Sequence, residues 1–383
     1  MPRFTAEHEI FRRTVREFVE KEINPHADEW EEAGTFPAHE LFKKAAALGL
    51  LGVEYDPEYG GGGADHWYTV ILGEELGRAD CGGVPMAITV QTDMATPALA
   101  KYGSHELKKQ YLEPALKGEL VASIAVTEPD AGSDVASIKT FARRDGDEYV
   151  INGSKIFITN GTQADFLTLL ARTSPEGGYR GMSLIIVPTD RPGFRVARKL
   201  RKLGNHSSDT AELVLEDVRV PVTNRIGEEG KGFYLQMEQF QKERLIAVYT
   251  ALGGMRRAIE RTVAYLRERK AFGGPLLSMQ YIQYTLAELI VEIESLRHLA
   301  YAAAEGIVNG EDVTRLATMA KFKAGRLVRR VADTCLQFHG GMGYMEEMWT
   351  ARYFRDSRLL GIGGGADEVM LRVLTRTEGL EVR

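Results

Sequence analysis

The chain has 383 residues, which is too long for one compact core and predicts two or three domains. Hydrophobic residues make up 44% and charged residues 27% of the sequence, a composition typical of globular proteins and not of disordered or fibrous ones. The formal charge of −6, from 48 Lys and Arg against 54 Asp and Glu, argues against nucleic acid or an anionic membrane as a partner.

The two cysteines, Cys81 and Cys335, lie far apart and outside any C-x-x-C motif. They support neither a disulfide framework nor a thiolate metal site, and they fit a reducing compartment. The charged N-terminus lacks the apolar core of a signal peptide, and no later apolar run reaches the ~18 residues of a membrane span. We expect a protein of the bacterial cytoplasm, with a mitochondrial matrix protein whose leader has been removed as the open alternative.

Helical periodicity marks residues 1–120, which we predict to form an N-terminal α-helical domain. An apolar stripe opens this region and ends at Asn24-Pro25; its members are Ile10, Phe11, Val15, Phe18, Val19 and Ile23. Two further helical stretches, residues 40–51 and 68–78, flank a loop with four glycines at 60–63. No Lys-Ser or Lys-Thr follows these glycines, as a Walker phosphate loop requires, so a flexible turn is the favoured interpretation.

In residues 121–228 the apolar period shortens to two and β-branched and aromatic residues become frequent, which predicts a middle antiparallel β-domain. The segment EYVINGSKIFIT is interpreted as two strands joined at Asn152-Gly153, because Asn-Gly is the strongest short signal for a hairpin turn. Further strands are predicted in the segments FLTLLART, MSLIIVP and AELVLEDVRVP.

In residues 229–383 the helical period returns in long segments, at about 232–269, 278–309 and 312–338, followed by a shorter terminal pair. We interpret this region as four long helices in a C-terminal four-helix-bundle domain, an architecture in which cofactor sites form between facing helices. The predicted fold class is therefore a multidomain α+β protein: a helical domain, a small β-domain and a helical bundle.

The stretch GIGGGADEVM at residues 361–370 matches the glycine fingerprint of a dinucleotide-binding loop. That fingerprint needs a strand before it, then a helix, a second strand and an acidic residue about 20 positions further on. Only 17 residues follow Ala366, which leaves no room for this βαβ unit. The match is therefore accidental, and the glycines need another explanation.

Motifs of other chemistries are missing: the sequence has no G-x-S-x-G, no H-E-x-x-H and no EF-hand spacing, and we predict no metal site. A polar loop at residues 122–139 stands out instead. Thr127, Ser133 and the amides around Gly132 form a group of hydrogen-bond donors suited to a heterocycle or a phosphate. When this loop is taken alone, plain turn formation is the favoured interpretation.

Five motifs together resemble the acyl-CoA dehydrogenase family: AVTEPDAGSD, KIFITNG, RERKAFG, QFHGGMGY and RDSRLLGIGGGADE. They begin at residues 125, 155, 267, 337 and 355, in the order and at the separations seen in that family, so the resemblance covers essentially the whole chain. It implies an FAD flavoprotein that removes hydrogens from the α and β carbons of an acyl-CoA substrate and passes the electrons to an electron-transfer flavoprotein.

The same resemblance implies cofactor contacts within one subunit. Thr127 and Thr159 would lie at the polar edge of the flavin, and Phe157 against its ring. Ser133 would lie near the FAD pyrophosphate and the thioester end of the substrate. The remaining cofactor contacts are expected at Val126, Gly132, Ile158, Glu368 and Ala366, the last of which replaces the family's frequent threonine.

Contacts with the FAD of a neighbouring subunit are implied as well. Arg269, Phe272 and Gln280 correspond to residues that reach across, with Gln337 and Gly341 at the adenosine portion. The resemblance therefore implies a homotetramer, arranged as a dimer of dimers, or at least a dimer. Taken singly, Phe272 could equally be a core aromatic, and Arg269 a cation that interacts with the C-terminal end of a helix dipole.

The catalytic base is missing from the place where many members of the family carry it. Their glutamate lies in a Y-E-G-T stretch that this chain replaces with Gly363-Gly364-Gly365-Ala366. Glu243-Arg244 resembles the E-R pair of the family's long-chain and isovaleryl branches. Glu243 lies in a mostly apolar helical segment, as a buried carboxylate with a raised pKa requires, whereas a solvated surface pair is the alternative.

We therefore predict that Glu243 is the base. The resemblance further implies that the Gly364 N–H binds the thioester carbonyl, with Ser133 and Arg244 as further substrate contacts. The missing side chain at Gly364 leaves room for a long or branched acyl chain, such as a citronellyl-type chain. An acyl-CoA oxidase or another flavin oxidase of the same fold is one alternative. A non-catalytic or DNA-binding member of the fold is the alternative from another class, and the acidic charge weighs against it.

Overall fold

The computed structural model describes residues 4–175 and 178–380, and its first region is helical. The helices of this region are α1 (Ala6–Phe18), α2 (Ala27–Ala33), α3 (Ala38–Ala47), α4 (His66–Leu76), α5 (Gly83–Thr89), α6 (Pro97–Tyr102), α7 (His105–Leu107) and α8 (Glu113–Leu116). Thr5 caps α1, because its hydroxyl accepts from the His8 amide and its own amide donates to His8 Nδ1. Ile10 is 54% exposed and does not belong to the buried stripe predicted for α1.

The loop at residues 60–63 is a packed turn. The amides of Gly61, Gly62 and Gly63 donate to backbone carbonyls of the preceding segment at 2.8–3.1 Å. These bonds use the N–H groups that a phosphate would need, which agrees with the prediction of a turn and not of a phosphate loop.

The middle region is one mixed sheet, with strand order β6-β7-β3-β2-β4-β5-β8 and β1 paired to β4. Most neighbours are antiparallel, as predicted, but β1 and β2 both pair with β4 in parallel; the chain between the paired strands is long enough to return to the same end of the sheet. The strands are β1 (Ala122–Ala125), β2 (Phe141–Asp145), β3 (Glu148–Thr159), β4 (Phe166–Arg172), β5 (Met182–Pro188), β6 (Phe194–Lys199), β7 (Thr210–Pro221) and β8 (Arg225–Ile226).

The predicted hairpin at Asn152-Gly153 is wrong. Strand β3 continues through these residues and pairs with β7 on both sides of them, with a register shift at Gly153. The chain reverses direction between β2 and β3, where Gly146 has a φ of +63°. A Cβ at Gly153 would lie 2.7 Å from Thr140 Cα, so this glycine permits a close backbone approach inside the sheet and not a turn.

Within residues 229–380, the described part of the last region, there are three long helices and two short ones, where four long helices were expected. Helices α9 (Gly232–Glu268), α10 (Gln280–Val308) and α11 (Thr314–Phe338) are long, and α12 (Trp349–Ser357) and α13 (Asp367–Thr377) are short. A small hairpin of β9 (Lys270–Ala271) and β10 (Gly274–Pro275) joins α9 to α10. Helix α9 packs against α11 and also against α4, so it connects this region to the N-terminal helices. The predicted fold class is confirmed.

Candidate functional site

Glu243 lies on α9 at a turn that faces inward. Only 9% of its surface is exposed, and its Oε2 has no hydrogen-bond partner among the described residues. Burial raises the pKa of this carboxyl to about 7; the nearby Arg244 and Lys321 lower it and Asp93 raises it. A carboxylate that titrates near neutral pH and has a free oxygen is suited to accept a proton.

The glycine-rich segment at residues 361–365 is a tight loop beside this carboxylate. It follows a 3-10 turn (Arg358–Gly361) and leads into α13. Gly364 and Gly365 have φ values of +62° and +100°, which side-chain-bearing residues rarely adopt. A Cβ at Gly365 would lie 3.8 Å from Arg244 Nε, so the loop contacts the residue next to Glu243. The structure thus brings together residues that are 121 positions apart in the chain.

Lys321 on α11 holds this loop in place and is not among the site residues predicted from the sequence. Its ammonium group is fully buried and donates to the carbonyls of Leu360 at 2.6 Å and Gly365 at 3.0 Å. Burial lowers the pKa of Lys321 to about 8, whereas nearby Asp367 raises it. A detectable signal was present, because Lys321 shares its helical face with Ala317, Ala320 and Ala324, and a lysine on an apolar face needs partners.

Thr127 and Phe157 are held next to each other in the sheet region. The Ile156 amide donates to the Thr127 carbonyl at 2.9 Å. Lys155, also absent from the predicted site, is fully buried and donates to Val126 O and to the Glu128 carboxylate, each at 2.9 Å. These bonds fix the loop after β1 against β3, so two segments assigned to the same cofactor form one surface.

Phe157 is presented outward from this surface. Its side chain is 66% exposed and its φ is +62°, a strained value for an aromatic residue, at a bulge between Lys155 and Ile158. Thr159 and Thr127 are half-buried beside it, whereas Gly132 and Ser133 are exposed. The side chains of Val126 and Ile158 are buried, so these two residues can offer only backbone groups to a ligand. An exposed ring flanked by hydroxyls fits a flat heterocycle.

The residues assigned to a neighbouring subunit's cofactor lie on the surface. Phe272 is 94% exposed at the tip of the β9–β10 hairpin, which contradicts the alternative of a core aromatic. Arg269, Gln337 and Gly341 are also exposed, as is Gln280, whose side-chain amide donates to Tyr284 Oη at 2.7 Å. Ala366 is the half-buried N-cap of α13, and Glu368 is exposed in its first turn.

A cavity of about 160 Å³ follows α9 and begins at Ala247, one helical turn after Glu243. Its lining on α9 recurs at helical spacing: Ala247, Thr250, Ala251, Gly254, Arg257, Ala258 and Arg261. Met86, Thr89 and Met94 line it from the N-terminal helices. Leu360, whose carbonyl accepts from Lys321, is also part of the lining, so the cavity reaches the residue just before the glycine loop.

In residues 4–175 and 178–380, no helix combines the length and the apolar character that crossing a membrane would require. In the same residues, no group of three or more His, Cys, Asp or Glu side chains could hold a metal ion.

Comparison with known proteins gives matches over nearly the whole chain. Residues 5–119, 123–218 and 230–378 match the families described as acyl-CoA dehydrogenase, N-terminal domain, middle domain and C-terminal domain. A long-chain specific acyl-CoA dehydrogenase of Sus scrofa mitochondria is 39% identical over 97% of this chain and 86% of its own. A short-chain specific acyl-CoA dehydrogenase of Clostridium acetobutylicum is 38% identical over 97% of both chains. A crystal structure of a putative acyl-CoA dehydrogenase from Mycobacterium smegmatis superposes with a TM-score of 0.96 at 42% identity, covering 99% of each chain.

Proposed function

Because the chain belongs to the acyl-CoA dehydrogenase family, and is thus an oxidoreductase acting on acyl-CoA, we propose that it binds FAD and converts an acyl-CoA thioester to the trans-2-enoyl-CoA. One observation carries this proposal: the buried Glu243 carboxylate lies beside the glycine loop that Lys321 fixes. Together these groups provide a proton acceptor and a hydrogen-bond donor near the end of the cavity that Ala247 and Leu360 line.

In the proposed reaction, Glu243 accepts the α-proton of the thioester, for which its pKa of about 7 is well matched. The Gly364 N–H donates to the thioester oxygen and stabilises the negative charge that develops there. Lys321 keeps the loop in position through the Leu360 and Gly365 carbonyls. When bound, FAD supplies the two-electron oxidant that takes the hydride from the β carbon. The proton remains on Glu243, and the α–β bond becomes a double bond.

The proposed flavin site uses the surface formed by Thr127, Phe157 and Thr159. The exposed ring of Phe157 and the neighbouring hydroxyls support it. Gly132 and Ser133 would bind the pyrophosphate with exposed amide and hydroxyl groups. Val126 and Ile158 would contribute backbone groups, and Ala366 and Glu368 would contact the cofactor from the start of α13, where the helix dipole favours a bound anion.

We also propose that the enzyme is a dimer of dimers in which Arg269, Phe272, Gln280, Gln337 and Gly341 reach a neighbour's cofactor. Large exposed apolar side chains next to these residues support this arrangement, since such patches mark interfaces. Tyr281 is 75% exposed, Tyr284 61% and Val291 63%, and all three lie on α10.

Replacing Phe272 with Asp should release subunits from the assembly and lower the bound FAD per chain by half or more, because an exposed interface aromatic is exchanged for a charge. Light scattering of the protein as it elutes from a size-exclusion column measures the release of subunits. The ratio of absorbance at 450 and 280 nm measures the bound FAD per chain. Leu48→Asp, at a 45% exposed residue of the N-terminal helices, is the matched control and should change neither. A Phe272→Asp protein of full size with full flavin content would refute the interface.

We propose that the substrate has a long or branched acyl chain. Long-chain and short-chain relatives are equally similar to this chain, so identity alone does not indicate chain length. The elongated cavity supports a long acyl chain, and the missing side chain at Gly364 supports tolerance of a branch near the thioester. An electron-transfer flavoprotein is the proposed acceptor; a flavin oxidase of the same fold would use oxygen instead.

Anaerobic titration with butanoyl-, tetradecanoyl- and citronellyl-CoA tests the activity by the loss of flavin absorbance. Tetradecanoyl- or citronellyl-CoA should bleach the flavin at one equivalent per site. The bleached enzyme is then divided between air and an oxidised electron-transfer flavoprotein, and recovery should be faster with the flavoprotein by about tenfold or more. Bleaching by none of the thioesters would refute the dehydrogenase. Faster recovery in air would favour the oxidase.

We propose domains at residues 1–120, 121–228 and 229–383, supported by the change from helix to strand between Leu116 and Ala122 and back between Ile226 and Gly232. A bacterial cytoplasmic location is proposed because Cys81 and Cys335 are both free and buried, which suits a reducing compartment. No nucleic-acid or membrane partner is proposed, in keeping with the charge of −6.

A further inference from the structure

The far end of the cavity along α9 differs from its middle. From Ala247 to Gly254 the lining on α9 consists of small side chains, whereas Arg257 and Arg261 line its last part. Gly254 lies eleven residues after Glu243, which at 1.5 Å per residue is about 16 Å along the helix. Measured along α9, the polar part of the cavity therefore begins about 16 Å beyond Glu243, the proposed base.

Charged groups at this far end are paired with each other. Asp80 Oδ1 accepts from Arg257 Nη2 at 2.8 Å and from Arg261 Nη1 at 2.7 Å. The Arg261 guanidinium also lies 4.5 Å from the centroid of the Trp349 ring. Asp356 is occupied as well, because its two oxygens accept from the amides of Gly82 at 2.9 Å and Asn205 at 2.6 Å.

Two donors at the same end have no acceptor among the described residues. The Tyr353 hydroxyl and Arg257 Nε are both buried and unpaired. The Tyr353 hydroxyl lies 3.5 Å from the place where a Gly254 Cβ would be, so it faces the cavity beside the glycine of α9. Buried donors are nearly always hydrogen-bonded in folded proteins, and an unpaired pair in a cavity indicates a ligand with an acceptor.

We propose that the preferred substrates are acyl-CoA thioesters whose long chain carries an oxygen, as a hydroxyl or a carboxylate, at its far end. This inference rests on the proposed dehydrogenase function and adds the substrate class. An extended alkyl chain advances by somewhat less than its ~1.5 Å bond length per carbon, so 16 Å corresponds to on the order of a dozen bonds. The oxygen then accepts from Tyr353 and lies near Arg257, while a plain methyl end leaves both donors unpaired.

The test compares tetradecanoyl-CoA with its ω-hydroxy analogue and with the mono-CoA thioester of tetradecanedioic acid. Both kcat/KM and the dissociation constant from calorimetry are measured. We expect at least one oxygenated thioester to have a kcat/KM about tenfold higher, and a dissociation constant about tenfold lower, than tetradecanoyl-CoA. A tenfold change is the effect of about one buried hydrogen bond. A larger gain for the dicarboxylic chain assigns the main contact to Arg257, and a larger gain for the hydroxy chain assigns it to Tyr353.

Tyr353→Phe removes only the unpaired hydroxyl and should leave the fold intact. It should reduce the preference for the ω-hydroxy chain to near one, while the turnover of hexanoyl-CoA, which is too short to reach, stays unchanged. Tyr234→Phe, at a 47% exposed tyrosine on α9 outside the cavity lining, is the control and should keep the preference for the ω-hydroxy chain.

Wild-type protein that binds and turns over tetradecanoyl-CoA as well as either oxygenated thioester would overturn the inference. Hexanoyl-CoA separates this failure from a failure of the proposed function, because it tests dehydrogenation without involving the far end. If no thioester reduces the flavin, the proposed function fails. The calorimetric preference then still decides whether the far end binds an oxygen.

Discussion

Glu243→Gln should retain FAD and bind acyl-CoA while its rate of flavin reduction falls by at least about 1,000-fold, as expected when a general base is lost. Glutamine preserves the shape of the side chain but cannot accept the α-proton. Stopped-flow measurement of flavin bleaching under anaerobic conditions gives the rate, and calorimetry gives the affinity. In the wild type, the rate should fall about tenfold for each pH unit below about 7, because the Glu243 carboxyl is protonated below its pKa of about 7.

Glu268→Gln is a suitable control, since Glu268 is an exposed carboxylate at the end of the same helix. This variant should bleach at the wild-type rate. Wild-type bleaching by the Glu243→Gln protein would show that another group takes the proton. An unchanged dependence on pH in a slow Glu243→Gln variant would instead assign Glu243 a structural role, because a base must carry the acid limb of the profile.

Lys321→Met should slow flavin reduction by about 100-fold, the second largest effect that we expect. The ammonium donates to the carbonyls of Leu360 and Gly365, and hydrogen bonds to a charged group contribute about 1.5–3 kcal/mol each. Without it the loop loses both anchors, and the Gly364 N–H is no longer held toward the thioester. Loss of a nearby positive charge should also raise the pKa of Glu243, since Lys321 lowers it in the wild type.

The pH profile separates this positioning role from a general loss of stability. In Lys321→Met the acid limb of the rate should move to higher pH, whereas a protein that is merely less stable would keep its midpoint. Lys323→Met removes a more exposed lysine two residues away, which pairs with Glu292, and should change neither the rate nor the midpoint. A normal rate and midpoint in Lys321→Met would contradict the proposed anchoring.

Secondary structure was predicted correctly where it depends on residues that are close together in the chain. The strands at Phe166–Arg172 and Met182–Pro188 occur where alternating β-branched residues predicted them, and α9 begins at the predicted residue. Asn152-Gly153 was misassigned because the same dipeptide permits both a tight turn and a bulge, and only the pairing of β3 with β7 distinguishes the two. Local preference gives the available conformations, and the neighbouring strand selects among them.

Buried cations were missed for a related reason. Lys155 and Lys321 are both fully buried and paired, and the only sequence signal for this was the alanine-rich face that Lys321 shares on α11. Their partners are carbonyls or a carboxylate from distant segments, and a backbone carbonyl has no sequence signature at all. The ion pairs at the far end of the cavity were also missed, because Asp80 pairs with Arg257 and Arg261 across about 180 positions of the chain.

The sequence by itself determined the order of helical and β regions and the exclusion of a Rossmann unit, because periodicity and the number of residues after a motif can be counted along the chain. The choice of Glu243 as the candidate base came from the resemblance of its motif to the E-R pair of a known family. Only the tertiary structure brought the Glu243 turn against the loop at residues 361–365 and buried Lys321 beneath that loop. Proximity between distant segments and the loss of water around a charge arise from packing. The pKa of a carboxyl depends on both, so its shift to about 7 could be stated only after the fold was known.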